Sequence, residues 1–303
     1  LKAANEENII NISVGGSVAP KGNNVLGQVS NNILESNTQA YIKDSTVKND
    51  DVTTVKAYDD QDVLLVSGAV TVSGSYIGVG AAVGVQQITA DTSAFVNNSE
   101  FNGVNGASDK GGDINVVAEE KTDAFAIVAT GSFGGSNAFA SADSSGTNIV
   151  DTETKAYIEN SKNLNATNIN VVAQNIANST LGVGGISQSN NAVGVSLANN
   201  LSTNLVEAYV QGDTNNTNVI TADSLSISGR NIYNGSADEK TDDSTTENAE
   251  TSSNAVATTE NTGDTNTDTF DSYEEVLDYL FTNEYDETTA KTVAVGAAIA
   301  NNT

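Results

Sequence analysis

The sequence predicts an all-β fold, a right-handed parallel β-helix (a solenoid) carrying an acidic loop-and-helix insertion near the C-terminus. Three observations lead there: a recurring strand motif, a drifting repeat length, and period-two alternation inside the apolar runs. The motif is Ala-aromatic-branched, at Ala40-Tyr41-Ile42, Ala94-Phe95-Val96, Ala156-Tyr157-Ile158 and Ala208-Tyr209-Val210. Each copy is answered by a second apolar run, at 52–57, 114–118, 169–173 and 225–229. The alanines at 40, 94, 156 and 208 set a period that wanders between 52 and 62 residues. A fixed motif with a variable spacing describes strands held in register while the loops between them change length.

Taken in order, the first repeat offers strand-like runs at 9–14 and 25–30, with the single proline, Pro20, between them, where a missing N–H does no harm. The second repeat has runs at 64–72, 76–89, 93–99 and 113–118. The third has 124–133, 138–143, 154–161 and 168–174; the fourth has 180–186, 192–198, 206–211 and 224–229. Four short strands per repeat predict about two coils each. At ~4.8 Å per coil, about ten coils would make a rod on the order of 50 Å long.

Within these runs Val79, Ala81, Val83 and Val85 share one face, and Gly78, Gly80, Ala82 and Gly84 the other. Val193, Val195 and Leu197 likewise oppose Gly194, Ser196 and Ala198. This alternation predicts half-buried strands whose aliphatic sides stack inward. The small-residue face fits two arrangements: another layer of backbone, from a neighbouring chain or a folded-back strand, approaches closely there, or small side chains serve tight corners and close-packed stacks. The connectors at 73–75, 134–137 and 187–191 are rich in Gly, Ser and Asn, which suit φ > 0. Turns this short could also close antiparallel hairpins, so a β-sandwich or meander of repeats is the rival fold.

Residues 1–234 are therefore expected to form the repeat solenoid, 235–291 an acidic flexible insertion, and 292–303 the start of a further repeat. The stretch 235–269 carries nine acidic residues against Lys240 alone and too little apolar surface to offset its ordering entropy. After it, Tyr273, Val276, Leu277, Leu280 and Phe281 fall at helical spacing, and Ser272 with Glu275 reads as a capping box, which predicts a short amphipathic helix over about 271–281. It packs on the solenoid, or presents Tyr273, Tyr279, Phe281 and Tyr285 to a partner. These four are the candidate partner-binding residues. The chain opens on Leu1 without Met and closes inside a repeat-like strand, 293–301, as expected of a piece of something longer.

Composition removes several chemistries. The 303 residues include 12 basic and 39 acidic ones, for a formal charge of −27, with a single arginine, so a phosphate backbone has little to bind. Cys, His, Met and Trp are all absent, which rules out thiolate and imidazole chemistry. No cofactor is expected. Arg230, as a lyase base, is equally at home as a solvated charge. Asp59, Asp60 and Asp62, and then Glu119, Glu120 and Asp123, are Ca²⁺-type oxygen donors at equivalent places. Two coils of separation would put them about 10 Å apart, too far to share an ion, and they read as a solvated rim. Gly111-Gly112-Asp113 is a fragment of the Ca²⁺-binding nonapeptide of toxin-type β-rolls, not a copy of it.

The lines at 156–173, 192–200 and 293–301 resemble the passenger regions of large filamentous adhesins, in the leukotoxin-type and filamentous-haemagglutinin group of Gram-negative anaerobes. The resemblance covers roughly residues 1–235 and the C-terminal end. It implies type V or two-partner export, an extracellular or outer-membrane-associated surface location, and contact with a host or bacterial surface protein or glycan. It carries over no catalytic residues. The expected function is a non-enzymatic adhesin segment, a rod displaying loops, with 101–112 and 235–291 the loops of interest, no membrane insertion by this segment, and lateral self-association possible. The alternatives are a carbohydrate-active β-helix of the polysaccharide lyase or tailspike kind, and a plain structural spacer.

Overall fold

The computed structural model describes residues 1–232 except 49, 75, 105–109, 136–137, 190 and 212–219, together with the backbone of 251–261, 268–269 and 294–302. The chain winds as a parallel β-solenoid. Its first coil is β1 (Lys2–Ala19), β2 (Asn24–Lys43) and the short β3 (Thr46–Lys48). The second is β4 (Thr53–Ser73), β5 (Ile77–Asn97) and β6 (Glu100–Asn102); the third is β7 (Ile114–Gly134), β8 (Phe139–Glu159) and β9 (Lys162–Asn165). The fourth is β10 (Asn168–Ser189), β11 (Asn191–Gln211) and β12 (Ile220–Thr221). A fifth layer follows as β13 (Ser224–Ile232), β14 (Thr251–Asn261), β15 (Asp268–Thr269) and β16 (Ala294–Asn302).

Like strands stack on like. Sheet A runs β1-β4-β7-β10-β13 with β14 also on β10, sheet B runs β15-β16-β11-β8-β5-β2, and the small sheet C runs β12-β9-β6-β3. Every pairing among the described residues is parallel, so hairpins, and with them the sandwich and meander, do not occur there. The motif alanines are register partners, Ala40 on Ala94, Ala94 on Ala156 and Ala156 on Ala208, along one axis.

Two expectations are corrected. Each repeat makes one coil, not two, because the short runs fuse into strands of about 21 residues. The polar stretch between the runs 76–89 and 93–99 contains no backbone breaker, and a ready template lies in the strands on either side. The described stack is therefore five layers, about 20 Å from first to last at ~4.8 Å each. Its strands are roughly 70 Å long, so it is a slab rather than a slender rod.

The second correction concerns which face lies inside. Along β5 and β11 the small residues face the interior: Gly78, Gly80, Ala82, Gly84, Gly194 and Ser196 are buried, whereas Val79, Val83, Val193 and Leu197 stand on the outer face. Beside these small residues sheets A and B approach too closely for branched side chains on both, unlike nearer sheet C, where Val63 and Ile88 share one buried cluster. A Cβ on Gly80 would lie 3.0 Å from the Gly131 carbonyl oxygen. One on Gly84 would lie 2.5 Å from Val128 and 2.8 Å from Leu65, whose side chains fill the space the glycine leaves. The layer that comes close to the small face is thus sheet A of this same chain, from the same coil and the next. The A-to-B turns also stack: Gly74 N–H donates to the Ala19 carbonyl (3.0 Å) and Gly135 N–H to that of Ser73 (3.0 Å). A Cβ on either glycine would sit 2.1 Å from a backbone oxygen of the coil before it, so no other residue fits.

Outside, sheet A divides along its length. Near the A-to-B turn its outward columns are apolar, for example Ile10-Leu64-Phe125 and Ile12-Val66-Ile127. Toward sheet C they are charged, with Asp60 beside Lys121 and Asp62 beside Asp123. Within 235–291, Thr251–Asn261 pairs with β10 in register, Ser179 on Thr251 through Ser189 on Asn261, where the sequence suggested an excursion. A Thr-, Ser- and Val-bearing stretch next to an open strand edge satisfies its backbone there. The expected helix over 271–281 lies outside the described residues.

Candidate functional site

The corner from sheet B into sheet C repeats in the first three coils, and its geometry accounts for the motif. In Ala-aromatic-branched, the alanine and the branched residue point inward, as Ala94, Val96, Ala156 and Ile158 do in the main apolar cluster. The aromatic residue points out. Two residues later the chain must turn, and Asp44, Asn98 and Asn160 take left-handed conformations (φ 50°, 46° and 51°). Asn and Asp tolerate that region best after glycine, and the fourth copy has Gly212 in that place. In the first three copies a serine follows. Ser45, Ser99 and Ser161 donate their hydroxyls to the carbonyl two residues back, at 2.7, 2.9 and 3.1 Å. Ser45 N–H and Ser99 N–H donate to the next coil's serine Oγ at 3.2 Å each. The motif is thus a corner that caps itself and its neighbour.

Outside the corner the aromatic residues form a ladder, Tyr41, Phe95, Tyr157 and Tyr209, with ring centroids 5.0, 4.9 and 5.0 Å apart and planes within 9° of parallel. Phe95 and Tyr157 are covered on both faces, so a sugar ring cannot stack between the rings; edges and the Tyr157 hydroxyl are what the inner rings present. Burial is the first cause that pushes the Tyr157 and Tyr209 phenols up, followed by the other charges of the ladder and its flanks. Beside the corner lies a cleft of about 210 Å³ lined by Asp44, Ser45, Thr46, Asn98, Ser99, Glu100 and Lys162. Its walls are hydroxyls, amides, two carboxylates and one ammonium group, a set that suits a hydroxyl-rich ligand.

The carboxylates expected on a solvated rim divide between inside and outside. Asp60, Asp62 and Asp123 are outside and share Lys121, at 3.0, 3.9 and 3.4 Å, while Lys56 meets Glu119 at 2.5 Å. The hydrogen bond to Asp60 is the first cause raising the Lys121 ammonium, and with burial it pushes the Tyr58 phenol up to about 12. Asp59 and Glu120 instead point into the core and are 0% and 1% exposed. They are register partners one coil apart, so the separation of about 10 Å expected from the sequence falls to ~4.8 Å between strands. Asp59 accepts from Asn5 (3.1 Å), Thr38 (3.3 Å), Gln61 (3.3 Å) and Ser36. Glu120 accepts from Thr122 (3.0 Å) and Thr92. Burial, against the pull of those two hydroxyls and with the negative charges of Asp59 and Asp60 nearby, pushes the Glu120 carboxyl up to about 8. Asn175 and Asn231 continue the same column.

Among the described residues no group of three or more carboxylates is placed to hold a metal ion. Arg230 is exposed within β13 and bonded to Ser228 (3.2 Å). Phe101, expected in a display loop, is buried in β6 against Val47 and Leu164, because sheet C claims it; the loop proper begins after Asn102. Tyr273, Tyr279, Phe281 and Tyr285 lie outside the described residues. The aromatic ladder was recoverable from the four aligned motifs; the buried acids were not, since nothing local separates them from their exposed neighbours. Comparison with protein-family models, with curated proteins and with solved structures returns no match.

Proposed function

We propose that this chain is a non-enzymatic stretch of a secreted or cell-surface bacterial adhesin, in which a stiff stack of coils holds variable corners out for contact with a host or bacterial surface protein or glycan. The observation that carries the reading is the repeated B-to-C corner: a backbone turn shared by the first three coils, beside loops whose length changes from coil to coil, at 49–52, 103–113 and 166–167. Binding residues tend to sit on loops held by a rigid scaffold. The acidic outer surface keeps such a chain soluble at high local density. The test is adhesion of beads coated with the whole chain to cultured cells, compared with chains in which 103–112, or 262–293, is replaced by a short Gly-Ser turn. Loss of adhesion with either replacement supports display. Beads that bind no better than an equally acidic inert protein refute it.

The cleft favours one second reading, a carbohydrate-binding or carbohydrate-active solenoid, with Asp44 and Glu100 as its carboxylates. Binding of neutral oligosaccharides that is lost in an Asp44→Asn, Glu100→Gln chain, with or without cleavage, would favour it over protein contact.

A further inference from the structure

We propose that the apolar outer half of sheet A is a self-association surface, on which two copies of this chain pack face to face as a closed dimer. Four strands, β1, β4, β7 and β10, contribute five outward positions each, from Ile10 to Val18 and their register partners. None of these twenty positions is charged, in a chain whose net charge is −27. They are open: Ile10 and Ile12 are 63% and 64% exposed, and Val70 and Phe125 are 42% and 43% exposed, further into the stack. Neighbouring side chains level the face, since the place a Cβ would take on Gly131 lies 3.3 Å from the Phe133 ring and 3.7 Å from Val70.

Size and charge together select the occupant. Four strands at ~4.8 Å and five positions at ~6.7 Å per residue pair give a footprint of about 600 Å². That is the upper end of what an ordinary monomer leaves exposed, and pairing two such faces buries about 1,200 Å², where specific interfaces begin. The acids start immediately beside the patch, at Asp62 and Asp123. A second copy can therefore meet this chain without opposing carboxylates within these four strands, with Glu260 beside Gln188 marking the edge on the next strand, while elsewhere the two repel. The clefts beside sheet C do not reach this face, and the charges bordering it at Asp62 and Asp123 would repel an anionic lipid. Flat, uncharged sheet faces pack on one another at about 10 Å, and a patch meeting its own copy closes after two chains. The equivalent half of sheet B is interrupted by Ser141, Asp143 and Ser145. The inference does not depend on the adhesin reading, and cell adhesion and dimerisation are measured separately.

The test is sedimentation of the whole chain at about 0.15 M and about 1 M salt, where the screening length falls from ~8 Å to ~3 Å. The expected result is a monomer–dimer equilibrium that tightens at least several-fold with salt, because screening removes repulsion and leaves the apolar contact. Val70→Glu with Phe125→Glu should leave a folded monomer, and the milder Phe125→Ser with Ile127→Thr should weaken association at least tenfold. Val83→Glu with Leu197→Glu, on sheet B, should leave it unchanged. A wild-type chain that is monomeric at both salts overturns the proposal, whether or not it floats with neutral phosphatidylcholine vesicles. So does a dimer that survives both sheet A variants, or one dissociated by the sheet B variant.

Discussion

Replacing Glu120 with Gln should stabilise the protein in alkaline buffer and leave it nearly unchanged in acid. The carboxyl is buried between coils, beside the charges of Asp59 and Asp60 on β4, with the uncharged Thr92, Thr152 and Asn175 on the other strands around this column. Its pKa is raised from an ordinary 4.5 to about 8. Below the lower value both folded and unfolded chains hold the proton, and the group contributes no pH dependence. Between the two values the folded chain keeps a proton that the unfolded chain has released, so stability falls as pH rises. Above the upper value both have released it and the full penalty persists. The interval at ~1.36 kcal/mol per pH unit gives about 5 kcal/mol.

Glutamine keeps an acceptor for Thr122 or Thr92 and never ionises. The difference in urea stability between variant and wild type, followed by far-UV circular dichroism, should therefore grow from near zero at pH 4.5 to several kcal/mol at pH 9. Taking the difference cancels other titrations, such as that of Asp91, whose carboxyl is also raised, first by burial and then by Glu153. Parallel pH profiles for the two proteins, or a variant that is the less stable one at pH 9, would refute the placement of Glu120 inside the coil.

Three further outcomes follow from the packing. Tyr157→Ala removes one of the two inner rings of the outer ladder and two stacked contacts, and should cost about 2–3 kcal/mol in a denaturant titration, whereas Tyr157→Phe should cost well under ~1. Gly84→Leu drives a side chain into Val128 and Leu65 and should destabilise by about 1–3 kcal/mol or prevent folding, while Gly182→Ala, with open space around its Cβ, should fall within ~0.5 kcal/mol of wild type by thermal melting. Asn98→Val places a β-branched residue at φ 46° and removes the 2.6 Å bond to Asp44, so it should lower stability by about 2–3 kcal/mol; Asn98→Gly, relieved of the Cβ, should lose less than half of that in the same titration.

The parallel stack was legible in the four Ala-aromatic-branched motifs because each marks a corner with strict local demands. An inward small residue, an outward ring, an inward branched residue and, in three of the copies, a left-handed Asx and a hydroxyl follow one another in an order that few other arrangements need. The cleft beside those corners was not legible, since it forms between coils 54 and 62 residues apart in sequence, where Asp44 meets Asn98 and Ser99 meets Ser161. The number of coils was misjudged at places such as Thr89 to Ser93. Polar residues there look like a break, yet Ala90 and Thr92 point inward and the ladder continues.

By itself, then, the sequence determined which residues alternate and which copies stack. The tertiary structure decided which of two alternating faces lies inside, and so whether Val79 is core or surface and whether Asp59 and Glu120 are dry or wet. Period two defines a pair of faces without ranking them. The ranking comes from the distance between sheets A and B, which the bulk of Leu65, Val128 and Leu181 on one sheet and the bare backbone of Gly84 and Gly146 on the other set together across the coil.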